Sequence, residues 1–183
     1  MKSRALRVLA TVLTMVPFFF VAQPAAAAPV DLTCPMTINL SLTPGAVLLP
    51  RVSTLGGAIA FGSSVSSLTP CSSPLSGTPY TGGSGPINGS GNLGCVSVGL
   101  ASLVGAASGT IPITWNNGDT SQLDWTTTIG SAASVILGTI SSGAMTGSTV
   151  ALLPIVPTGL TGNCLLTPVT GLSTAGVAGF LQG

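Results

Sequence analysis

From Val30 to Leu42 every even-numbered residue is apolar (Val30, Leu32, Cys34, Met36, Ile38, Leu40, Leu42), while the odd ones are Asp31, Thr33, Pro35, Thr37, Asn39 and Ser41. A period of two held over thirteen residues places one set of side chains on each face of an extended chain, which is the pattern of a half-buried β-strand. Pro35 has no N–H to give to a ladder, so that part of the strand is expected at an edge or a bulge. Thr43-Pro44-Gly45 is expected to turn the chain.

The same period returns in Ile111, Ile113 and Trp115, and after Asn116-Asn117-Gly118-Asp119 in Leu123, Trp125, Thr127 and Ile129. Asn117-Gly118 predicts a two-residue hairpin of type I′, because both residues tolerate the positive φ that this turn requires. The two tryptophans then fall on neighbouring strands. Further strands are expected over Val52–Phe61, Val96–Ser102, Ser134–Ile140, Thr149–Ile155 and Gly171–Leu181, where Val, Ile and Thr dominate and Gly, Pro and Ser punctuate. No segment keeps a 3.6-residue period over the length of a helix.

Residues 72–94 depart from this pattern. Seven glycines lie among Ser, Thr, Pro and Asn between Ser76 and Gly94, a composition short of apolar side chains, and the segment reads as a long Gly-rich loop. Neither a helix start nor a Lys follows these glycines, so a phosphate-cradling loop is excluded. Asn88-Gly89-Ser90 matches an N-glycosylation sequon by composition alone.

The first 27 residues have the layout of a secretory signal: Lys2, Arg4 and Arg7, then an apolar run from Val8 to Ala22, then small residues from Gln23 to Ala28 with cleavage expected after Ala27. The apolar run falls short of the roughly 20 residues of a spanning helix. Residues 28–183 then form a single β domain. Removing the leader takes Lys2, Arg4 and Arg7 with it and leaves Arg51 against Asp31, Asp119 and Asp124. One arginine cannot neutralise a run of phosphates, which excludes nucleic acid as a partner, and it cannot form a polybasic membrane patch.

The same count bears on catalysis. Beyond the leader the chain has no His, Lys or Glu, so its many serines have no customary base to activate them, and no G-x-S-x-G elbow is present. Asp119 and Asp124 are five residues apart and would be the carboxylate pair of a glycosidase or calcium site. Their context is structural instead, with Asp119 in the hairpin turn and Asp124 on the polar face beside Leu123 and Trp125. Asp31 and Arg51 are expected as a surface ion pair, worth about 0 to 1 kcal/mol. Trp115 and Trp125 are read as core aromatics rather than a sugar-stacking platform. No catalytic, cofactor-binding or metal-ligating residue is assigned.

Cys34, Cys71, Cys95 and Cys164 form an even set in an exported chain and are expected as two disulfides. Their spacing lacks the close pairs or nearby His of a zinc site. Of three possible connectivities Cys34 with Cys71 and Cys95 with Cys164 is favoured, on a nearest-partner argument for the first pair. Each loop would stabilise the fold by about 4 kcal/mol on the chain-entropy model.

Some eight or nine short strands suit an all-β domain, a two-sheet immunoglobulin-like sandwich or a small barrel. The features run in the order of an alternating strand with the first Cys, Pro50-Arg51, a second Cys near a Gly-rich segment, a third Cys, a hairpin with Trp115, Gly118 and Ser121, and a late Cys before the last strand. In that order they resemble a group of small exported β-sandwich proteins of actinobacteria. The resemblance implies an exported all-β fold and brings no activity with it. The function expected is an exported, non-enzymatic structural or binding protein of the cell envelope or extracellular space. The alternative is an envelope-embedded β-barrel or oligomeric β-assembly, supported by a mean hydropathy of +0.72 and few charges.

Overall fold

A computed structural model describes residues 30–74, 79–96, 102–129 and 134–182; the expected leader lies outside the described residues. Among them eight strands follow one another: β1 (Val30–Ala46), β2 (Arg51–Gly62), β3 (Gly82–Val96), β4 (Ser102–Trp115), β5 (Thr120–Ile129), β6 (Ser134–Gly143), β7 (Thr149–Thr161) and β8 (Val169–Leu181). Each pairs antiparallel with the next, and β1 pairs with β8 to close the ring. Of the two architectures that the strand pattern admits, the chain therefore takes the small barrel and not the two-sheet sandwich. Closure pairs both outer strands with each other and removes the edges that a sandwich would leave.

Alternation determines which face points inward. Leu32, Cys34, Met36, Ile38 and Leu42 of β1 are buried, as are Leu55, Ile59 and Phe61 of β2, Ile111, Ile113 and Trp115 of β4, Leu123 and Trp125 of β5, and Val150 and Leu152 of β7. These side chains fill the interior, as expected for a barrel of eight strands. One end is closed by aromatic rings, with Trp115 5.5 Å from Phe180, 6.1 Å from Phe61 and 5.1 Å from Tyr80 between centroids.

Four expectations are corrected. First, the Gly-rich segment is not a loop throughout, because Gly82–Val96 is β3, paired with β2 along twelve positions from Gly62↔Gly82 to Arg51↔Leu93. Two of its glycines face indoles inside the barrel: a Cβ on Gly83 would lie 2.9 Å from Trp115 Cε3, and one on Gly89 2.7 Å from Trp125 Cζ2. The strand thus lends its missing side-chain volume to the indoles of β4 and β5.

Second, the turn after β4 is not type I′. Positive φ occurs in it at Gly118 alone (91°). Gly118 N–H donates to Trp115 O at 3.0 Å and Trp115 N–H to Asp119 O at 2.9 Å, a three-residue loop ending in a glycine bulge. Third, Thr43-Pro44-Gly45 does not end β1; it lies inside it, where pairing with β8 shifts register between Ser41 and Ala46. The chain reverses over residues 47–50. Fourth, Val96 and Ser102 do not share a strand: Val96 ends β3 and Ser102 opens β4, and the residues between lie outside the described residues.

Pro35 sits where its chemistry requires. It pairs with Val177 of β8, while pairing to β2 starts one residue later at Met36↔Phe61. Beyond that point β1 overhangs β2, and Thr33 forms an isolated bridge with Ser72 through two 2.8 Å hydrogen bonds. The thinnest seam is β6 with β7, four pairs from Ile136↔Leu152 to Thr139↔Thr149.

Candidate functional site

Arg51 and the two carboxylates of the described barrel stand apart. Arg51 opens β2, and its Nε donates to Gly45 O at 2.8 Å while its second terminal nitrogen donates to the same carbonyl. The ion pair expected with Asp31 falls on a side chain outside the described residues. Asp119 lies in the β4–β5 turn, where its Oδ2 accepts from Tyr80 Oη at 3.1 Å and from Asn117 Nδ2 at 2.8 Å. Asp124 lies five residues up β5 on the exposed outer face, between Thr110 of β4 and Thr139 of β6. Along an extended strand that spacing is about 16 Å, so the two carboxylates do not form a pair.

Tyr80 is the group whose acidity the fold alters. Burial of part of the ring raises its pKa above the ordinary 10.0, and the hydrogen bond to Asp119 and that carboxylate's negative charge raise it further.

The tryptophans are interior residues. Trp115 Nε1 donates to Ser121 Oγ at 2.8 Å, and Ser121 Oγ donates to Ala144 O at 2.6 Å. The Trp115, Gly118 and Ser121 pattern thus has a structural basis: the glycine lets the chain reverse so that the serine hydroxyl meets the buried indole. Asn116 locks the same turn to β3, its Oδ1 accepting from Thr81 N at 3.1 Å and its Nδ2 donating to Thr81 Oγ1 at 2.8 Å. Trp125 Nε1 and Ser53 Oγ are buried without a hydrogen-bond partner.

The cysteines pair Cys34 with Cys71 and Cys95 with Cys164, with Cα atoms 4.2 and 5.8 Å apart. The first bond ties β1 to the β2–β3 connection. The second ties the far end of β3 to the β7–β8 connection, so one staple sits at each end of the barrel. Two such bonds belong to an oxidising location outside the cytoplasm.

Across β3, β4 and β5 the outward residues Ser90, Ser108 and Thr126 align in one row, which Leu137 continues on β6. The adjacent row is Asn92, Ala106, Thr128 and Val135. Between them lies a shallow depression of ≈ 680 Å³. Its hydroxyls both donate and accept, and none of its lining side chains is charged, which suits an uncharged, hydroxyl-bearing surface better than an ion. Sequence reasoning missed this wall because its first strand, β3, was read as a loop; the signal was the alternation of Ser84, Pro86, Asn88, Ser90 and Asn92 with Gly or apolar residues. Comparison with protein-family models, with curated proteins and with solved structures finds no match.

Proposed function

We propose that the protein is an exported, non-enzymatic β-barrel that serves as a binding or structural component of the cell envelope or the extracellular space, using its outer wall over β3–β6 as the contact face. The observation that carries this reading is the sense of the alternation: apolar side chains point inward, and hydroxyl, amide and glycine residues occupy most of the outside of β1–β5. A membrane-spanning barrel has the opposite arrangement, with a lipid-facing apolar band and a polar lumen. The dispersed carboxylates and the lack of His, Lys and Glu beyond the leader support a role without catalysis. The leader, the staples and the resemblance to small exported actinobacterial proteins support export.

Export in a host with an oxidising periplasm, followed by purification without detergent, tests the reading. A monodisperse, disulfide-bonded protein with a cooperative thermal transition is the expected result. A chain that folds only in detergent micelles overturns the reading in favour of the envelope-embedded barrel. On the contact face, Thr126→Arg places a charge in the middle of the hydroxyl row and should abolish retention on isolated envelope polysaccharide while leaving the melting temperature unchanged.

A further inference from the structure

The end of the barrel that carries the β1–β2 and β7–β8 connections is apolar at its tips. Leu48 and Leu49 in the first connection are 51% and 79% exposed, Leu165 and Leu166 in the second are 65% and 86% exposed, and Val52 at the start of β2 is 73% exposed. The two connections are neighbours. Cys95 is disulfide-bonded to Cys164 in one, and its N–H donates to Val47 O in the other at 2.9 Å. Ala46 and Val169 pair directly beneath them.

Four N–H groups of the second tip are satisfied from within. Asn163 Oδ1 accepts from Leu166 N at 2.8 Å and from Thr167 N at 3.0 Å, while Leu165 N donates to Asn163 O at 2.8 Å and Asn163 N to Thr167 O at 3.2 Å. A loop that closes its own N–H groups in this way can leave water without stranding a donor. Residues 47–50 (Val-Leu-Leu-Pro) and 162–168 (Gly-Asn-Cys-Leu-Leu-Thr-Pro) contain no ionisable side chain beyond the disulfide-bonded Cys164. The adjacent Arg51 turns its guanidinium back onto Gly45 O.

From this geometry we infer that the leucine-tipped end of the barrel inserts shallowly into a lipid surface, with Leu48, Leu49, Leu165 and Leu166 as the inserting residues. The leucines project from exposed turns, and the N–H groups of the second turn are engaged within it, which fits a fluid apolar phase better than the rigid pocket of a protein partner. Their neutrality fits a zwitterionic surface and makes binding independent of salt. The inference rests on the export reading only for where lipid would be met; purified protein tests it directly.

The mature chain is sedimented with phosphatidylcholine vesicles at low and high salt. The expected result is binding at both, reduced about ten-fold or more by Leu49→Ser with Leu166→Ser, since each change removes an inserting side chain from the apolar phase. A Leu166→Trp variant gives a second measurement: its fluorescence should shift to the blue and be quenched by brominated phosphatidylcholine, whereas the native tryptophans stay buried. Folded wild-type protein that remains in the supernatant overturns the inference, as does a double-serine variant that binds undiminished. A concentration-dependent dimer lost in the double-serine variant, without vesicle binding, assigns the tips to a second copy and also overturns it. Failure of the wild type to fold without detergent would instead remove the function proposed above.

Discussion

Single side chains in this barrel are placed by hydrogen bonds and volume. Tyr80 is the sole tyrosine of the chain, so its ionisation can be followed by phenolate absorbance without overlap from another. Its folded pKa is raised above 10.0, and the neutral phenol is therefore the form the fold prefers. The resulting stability is fully present below the unfolded value of 10.0 and is lost as pH rises through the higher folded value. Asp119→Asn removes the hydrogen-bonded carboxylate and should lower the midpoint, leaving the part due to burial; an unchanged midpoint would show that the Asp119 contact does not act on the phenol. Ser53 offers the opposite case, a buried hydroxyl with no partner. Ser53→Ala deletes that unmet group and should raise stability by up to about 1 kcal/mol in denaturant titration; a clear loss would mean that the hydroxyl is bonded.

At the scale of elements, β3 and the β4–β5 hairpin depend on glycine for different reasons. In β3 the reason is space. Gly89→Ala would place a methyl group 2.7 Å from the Trp125 ring, and with Gly109 beside it on β4 the strand has little room to give. Overpacking of this kind should cost about 1–3 kcal/mol, with a shift in Trp fluorescence as the indole is displaced. In the hairpin the reason is conformation, since nothing lies within 4 Å of a Cβ on Gly118 but its φ is 91°. Gly118→Val should destabilise by about 1 kcal/mol or more, whereas Gly118→Asn, which tolerates positive φ, should cost less. Equal melting temperatures for both variants would show that the bulge conformation is not required.

For the whole molecule, closure and the two staples act on the same problem from different sides. Closure gives every strand a partner on both flanks, and the bonds Cys34–Cys71 and Cys95–Cys164 span 37 and 69 residues of sequence at opposite ends. Alkylation without reductant should label no cysteine in mass spectrometry, and replacing either pair with Ala should cost about 2–5 kcal/mol. Stoichiometric labelling of even one thiol would refute the two-bond framework.

Much of this could be read from the residues alone. From Leu32 to Leu42 the alternation named the inward set of β1, and the strands expected over Val52–Phe61, Ser134–Ile140, Thr149–Ile155 and Gly171–Leu181 each lie within an observed strand. The favoured pairing of the cysteines matches the bonds formed. The strand features are local, so sequence carries them, whereas the cysteine bonds span 37 and 69 residues and their even count indicated the number of bonds rather than the partners. Ring closure is different: the register of β1 with β8 joins residues about as far apart as the domain allows, and no local pattern encodes which remote strand completes the ring. Strand β3 likewise becomes a strand because two indoles from later strands occupy the space over Gly83 and Gly89, a complementarity of volume that exists only once the barrel has closed.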